Sequence, residues 1–167
     1  MTRKAMTTIS QSAIIIMAMV TGVFFFWYVP HYAAAYVAEY PAYSRFYVPV
    51  LVWLFLFAAV IFACFIPSWK ICASISNSEG AFTRNNVRRL RILSGLLFAD
   101  AVIFPLGMGI IAVLGAFSMF SFAILMPLIL FAFSAMGVVC YIVAEMVEDV
   151  AEDRERVAEE EKESGNA

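Results

Sequence analysis

The chain has 167 residues, of which 63% are hydrophobic and 14% charged, with a mean hydropathy of +0.87 and a net charge of −2. Soluble domains carry about 25% charged residues, so this composition excludes an ordinary soluble domain and points to an integral membrane protein. The charge is also segregated: residues 145–163 hold ten of the thirteen acids, and residues 70–91 hold five of the eleven bases.

The apolar residues fall in long blocks and not in short alternating runs, which argues against a transmembrane barrel and for an all-α chain. A spanning helix needs about 20 mostly apolar residues. The first such block, residues 13–29, reads AIIIMAMVTGVFFFWYV. Arg3 and Lys4 ahead of it resemble the start of a cleavable leader. Leader cores run only about 7–15 residues, however; this block is longer and ends in bulky aromatics. It is therefore read as the first span.

Residues 27–49, WYVPHYAAAYVAEYPAYSRFYVP, hold six of the seven tyrosines. Pro30 suits the first turn of a new helix and Pro41 ends one, so residues 31–40 are expected to form a separate helix along the outer membrane surface. Tyr32, Tyr36 and Tyr40 would share its face, ring bodies in the acyl boundary and hydroxyls in water. The same faces suit a lid that holds a cationic or aromatic ligand. His31 is the only histidine, and is read as an interfacial residue in preference to a metal ligand with Glu39.

The second block, residues 48–69, is followed by KICASISNSEGAFTRNNVRRLRILSGLL. Gly80 can close the second helix in a left-handed turn, and Thr83 is a good N-cap for a helix starting at Arg84. Arg84, Arg88 and Arg91 recur at four and three residues and so share a face, suited to anionic head groups or to an acidic partner. The motif GAFTRNNVRRLRIL, with Gly80, Phe82, Thr83, Asn86, Leu90 and Arg91, resembles the inner-loop signature of the YoaS-like family, small four-span bacterial membrane proteins without an established activity. The resemblance runs over residues 10–160 in span order. Many members are encoded beside a small Cro-type helix-turn-helix regulator, which implies a membrane partner in a regulatory pair. The family is associated with an acidic-then-aliphatic C-terminal ending, whereas this chain finishes AEEEKESGNA, so no role tied to that ending carries over.

The third block, residues 90–115, contains Asp100, nine residues past Arg91 and so about 13 Å deeper at about 1.5 Å per residue. A charge near the midplane costs at least about 2.5 to 3.5 kcal/mol. Asp100 is therefore expected to face the bundle interior, either linking helices through Thr21, Ser94 or Ser134, or serving as a proton or cation site. The glycines of GMGIIAVLG serve close helix packing. Pro105, and Pro127 in the fourth block at residues 119–144, loosen the outer halves of their helices and so shape an outward cavity or kink the spans.

The tail EMVEDVAEDRERVAEEEKE is rich in helix formers and is expected to extend the fourth helix into the cytoplasm. Val143, Val147, Val150 and Val157 give it a weak seam. The division is then a four-helix transmembrane domain over residues 1–147 and an acidic cytoplasmic tail over residues 148–167 that frays to disorder. Glu148, Asp149 and Glu152 join Arg84, Arg88 and Arg91 as partner-docking residues, because the acidic helix can dock a cytoplasmic partner or pair with those arginines.

Bases accumulate in cytoplasmic loops. Arg3 and Lys4, the five bases of residues 70–91, and Arg154, Arg156 and Lys162 then lie inside, with only Arg45 outside. The expectation is an all-α, four-helix bundle in a bacterial cytoplasmic membrane with both termini cytoplasmic. Cys64, Cys72 and Cys140 are read as small hydrophobes. No catalytic motif, metal set or cofactor loop stands out, so no enzyme, metal or cofactor is expected, and no direct contact with nucleic acid. The leading functional reading is a sensory or regulatory membrane partner of a cytoplasmic protein, possible as a homo-oligomer. Its rivals are a transport, export or immunity component using Asp100 and an outward cavity, and an accessory subunit of a larger membrane complex.

Overall fold

The computed structural model describes residues 3–76, 82–113 and 120–165, and every regular element among them is helical. In chain order these are α1 (Arg3–Val23), a π-helical turn (Phe24–Tyr28), α2 (Val29–Glu39), a 3-10 turn (Pro41–Phe46), α3 (Tyr47–Ser76), α4 (Arg84–Val113) and α5 (Phe120–Gly165). Among the described residues, four stretches are long and apolar enough to cross a membrane: Thr8–Glu39, Pro41–Ser74, Arg84–Ala112 and Pro127–Arg154. An all-helical, multi-pass membrane protein is the class these elements support. Gly80 and Gly115 lie outside the described residues.

The first stretch departs from expectation. In place of a span and a separate surface helix, residues 3–39 follow one continuous helical path through Pro30, with Val23, Tyr28 and Val29 all in the right-handed helical region. The reason is the π turn. Proline lacks the N–H that would bond the carbonyl four residues back, and its ring crowds that carbonyl. Widening the preceding turn relieves the crowding, and Val29 N–H accordingly reaches five residues back to the Phe24 carbonyl. Pro41 does stop the path: Tyr40 leaves helical geometry at φ −124°, ψ 78°, and the 3-10 turn follows.

The helices pack mainly in sequence, α1 on α3, α3 on α4 and α4 on α5. Contact pairs step in opposite directions along both α3–α4 (Ser74 with Asn86, Trp53 with Ile103) and α4–α5 (Arg91 with Glu145, Ser94 with Gly137), so these neighbours are antiparallel. Away from the bases, Phe57 of α3 is the hub of the core. Its ring meets Phe25 at 6.3 Å, Phe104 at 5.4 Å and Phe133 at 5.6 Å, joining all four segments. Trp53 lies against Gly107 and donates its indole N–H to the Ile103 carbonyl at 3.1 Å. Helices α4 and α5 run on through Pro105 and Pro127, and the neighbouring Phe104 and Met108 are buried in the core, with the Trp53 and Phe57 rings against Phe104. Exposed Ile16, Met17, Met19 and Val20 on α1 leave an apolar outer face suited to lipid.

Candidate functional site

The most elaborate chemistry lies at the base-rich end, where α3, α4 and α5 meet. Helix α4 begins at Arg84, with the Thr83 carbonyl accepting from Asn86 N–H at 2.9 Å and Val87 N–H at 3.2 Å. The helix starts where expected, but the side-chain cap is not made: the Thr83 hydroxyl is buried without a hydrogen bond. Asn86, only 1% exposed, donates to the Ser74 hydroxyl at 2.6 Å, and that hydroxyl in turn reaches the Ile71 carbonyl at 2.9 Å. Arg89 then donates to both Asn86 Oδ1 and the Lys70 carbonyl at 3.0 Å. This knot ties the end of α3 to the start of α4.

Arg84, Arg88 and Arg91 do share a face, and with Val87, Ile92 and Glu148 they line an open cleft of about 490 Å³. Arg91 is clasped from α5 by Glu145 at 2.9 Å and Glu148 at 2.5 Å. These side chains are a third to a half exposed, so solvent screens both pairs and each adds little to stability. The guanidinium of Arg154 stacks on the Phe82 ring at 5.4 Å, just before α4. Between these contacts, Ala144, Val147 and Ala151 are buried, a seam at helical spacing whose alanines let the backbones approach closely. The seam differs from the valine series expected: Val143, Val150 and Val157 are exposed, because they lie off the face that meets α4. Asp149 and Glu152 are exposed on α5, and the ion pairs to Arg91 come from Glu145 and Glu148 instead.

Three features escaped the sequence reading: Glu145, the Ser74–Asn86–Arg89 knot, and the Phe82–Arg154 stack. The signal for Glu145 was present, since it stands three residues before Glu148 and both can face one arginine.

Deeper in α4, Asp100 is 0% exposed, and both carboxyl oxygens lack any hydrogen-bond partner. The expected links through Thr21, Ser94 and Ser134 are not made. Ser94 donates to the Gly137 carbonyl at 2.9 Å, where α5 approaches closely enough that Phe98 lies 3.3 Å from a β-carbon at Gly137. Thr21 and Ser134 are half-buried on α1 and α5.

At the opposite end the tyrosines divide into two sets. Tyr32 stacks on Tyr28 at 6.0 Å, while Tyr36 meets Tyr40 at 4.9 Å and Tyr43 at 6.0 Å across the Pro41 turn. The neighbouring Glu39 carboxylate raises the Tyr40 phenol above its usual range. His31 stacks on Trp27 at 6.0 Å. Cys64, Cys72 and Cys140 are free thiols.

Residues 31–160 match the model of a family described as protein of unknown function (DUF2975), and the chain belongs to that family. No curated protein and no solved structure matches it.

Proposed function

We propose that this DUF2975 member sits in a bacterial cytoplasmic membrane with both termini inside and acts as the regulatory membrane partner of a cytoplasmic protein. The observation that carries this reading is the join between α4 and α5: Glu145 and Glu148 hold Arg91, while Asp149 and Glu152 stay exposed on the same acidic extension. An exposed acidic helix face offers electrostatic complementarity to a basic partner. The loop motif around Asn86 and Arg91, read as YoaS-like, points to a small helix-turn-helix regulator, and DNA-binding modules carry the basic surface that an acidic helix would mask. On this reading residues 31–40 carry the helical path out into the outer interface, with Tyr32, Tyr36 and Tyr40 in the tyrosine belt.

Capture with the full chain in mild detergent tests the proposal. A basic cytoplasmic protein should be retained at low salt, released at high salt, and lost from Asp149→Lys/Glu152→Lys. Retention that ignores both salt and charge reversal would contradict it.

A second reading, transport of a proton or small cation, is favoured by one observation: the fully buried Asp100 with both oxygens unpaired. Intramembrane carboxyls of this kind mark ion pathways. Under this reading Asp100→Asn abolishes the cellular role and charge reversal on α5 spares it; under regulation the outcomes exchange.

A further inference from the structure

We propose that two copies of this chain pair in parallel through α5, along a seven-residue seam that starts inside the membrane and continues into the acidic extension. Met136, Val143, Val150 and Val157 stand seven residues apart, and Val139 and Met146 stand three residues after the first two. All six are exposed. Apolar residues alternating three and four apart are the a and d positions of a coiled coil, and a strict seven-residue repeat gives the seam the slow drift that winds two helices around each other. Met136, Val143 and Val150 each precede by one residue a buried residue, Gly137, Ala144 and Ala151, of the face that packs on α4. One residue is about 100° around a helix, so the seam points away from α4 and is open to a second helix.

What covers the seam follows from where it lies and how its edges are charged. Inside the membrane lipid can cover exposed apolar side chains, but residues 145–163 hold ten of the thirteen acids and cannot lie in hydrocarbon. Val150 and Val157 are therefore beyond the reach of lipid. In a parallel pair the g residue of one helix lies beside the e residue five positions further on in the other. Asp149 at g then meets Arg154 at e of the second copy, and Arg156 and Glu161 stand in the same relation one heptad later. Asp149, Arg154 and Arg156 are exposed, Arg154 even while it stacks on Phe82. One heptad earlier the corresponding residues are Ile142 and Val147, so charge enters the edges only where the helix leaves its apolar span. Asp153, at the d position between the two valines, meets its own counterpart; a charged seam residue fixes the register at a cost in stability. Only about two heptads lie beyond Met146, too few to hold free helices together, but copies inserted in one bilayer in the same sense are already parallel and locally concentrated. The pairing depends on that common insertion and not on docking of any cytoplasmic protein.

Disulfide trapping in membranes washed free of cytoplasmic proteins tests it. In the full chain with Cys64, Cys72 and Cys140 replaced by alanine, Val150→Cys or Val157→Cys places a single thiol on the seam, where the two α-carbons come to the separation of about 6 Å that a disulfide spans. Mild oxidation should link each variant into a dimer, several-fold more completely than Glu152→Cys, which is equally exposed but faces away from the seam. Asp149→Arg should lower the yield from Val157→Cys several-fold, and adding Arg154→Asp should restore it. Asp153→Leu should raise the yield. Every substituted seam and edge position is exposed in the single chain, so its fold does not depend on them, and an unchanged thermal midpoint checks this. Equal yields at 150, 157 and 152, or linkage of the seam cysteines to a different protein, would overturn the pairing. Failure of Arg154→Asp to restore the yield would overturn the parallel register.

Discussion

Trp53 and Gly107 compete for one volume: the indole of Trp53 occupies the space where residue 107 would carry a β-carbon. Gly107→Ala should therefore force the ring out of its contact with Phe104 and its bond to Ile103, costing about 1 to 3 kcal/mol as overpacking does in a filled core. Gly109→Ala, with nothing within 4 Å of the new atom, should leave stability unchanged or raise it through helix propensity. Thermal midpoints from fluorescence-detected gel filtration separate the two. Equal midpoints would contradict the packing.

The clasp on Arg91 should behave as an exposed charge cluster. Arg91→Gln removes both pairs and should speed proteolysis of the chain beyond Ala151 by a small factor, as the loss of screened surface pairs does. Glu148→Gln should do less, because Glu145 remains. Raising salt from 0.15 to 1 M should mimic Arg91→Gln in the wild type and do little in the variant.

What could be read ahead of the structure followed from local chemistry. The blocks of apolar residues located four spans, Thr83 marked the start of α4, Pro41 marked the end of α2, and the four-and-three spacing placed Arg84, Arg88 and Arg91 on one face. Pro30 misled because proline suits the first turn of a new helix, yet here the path continues through it by widening the preceding turn. The α5 seam was misassigned because valine outranks alanine in hydrophobicity, while close helix approach selects for small side chains. The Ser74–Asn86–Arg89 knot joins residues on either side of the α3–α4 joint, and no helical period within one segment reveals such pairs.

That knot supports a third prediction. Asn86→Leu would strip the Ser74 hydroxyl back to its bond with the Ile71 carbonyl and the Arg89 guanidinium back to its bond with the Lys70 carbonyl, and the bonds lost to Asn86 should cost about 1 to 3 kcal/mol. The double variant Ser74→Ala/Asn86→Leu removes both polar partners and should recover part of the loss. A double variant no more stable than the single one would show that packing, and not hydrogen bonding, dominates there.

Asp100 makes the opposite case. An unpartnered buried carboxyl lowers stability, so Asp100→Leu should raise the thermal midpoint, by an amount corresponding to about 1 to 3 kcal/mol. A fall would mean that the carboxyl is held by a group that compensates its burial.

Docking of a cytoplasmic protein requires the base-rich end of the bundle to face the cytoplasm and the tyrosine-rich end to face outward. The direct measurement replaces Cys64, Cys72 and Cys140 by alanine, installs one cysteine at Asp149 or at Tyr36, and treats intact spheroplasts with a membrane-impermeant maleimide. The expected result is labelling at position 36 in intact cells, and labelling at position 149 only after the membrane is permeabilised. Labelling at 149 in intact cells, with protection at 36, would contradict the orientation and with it the regulatory reading.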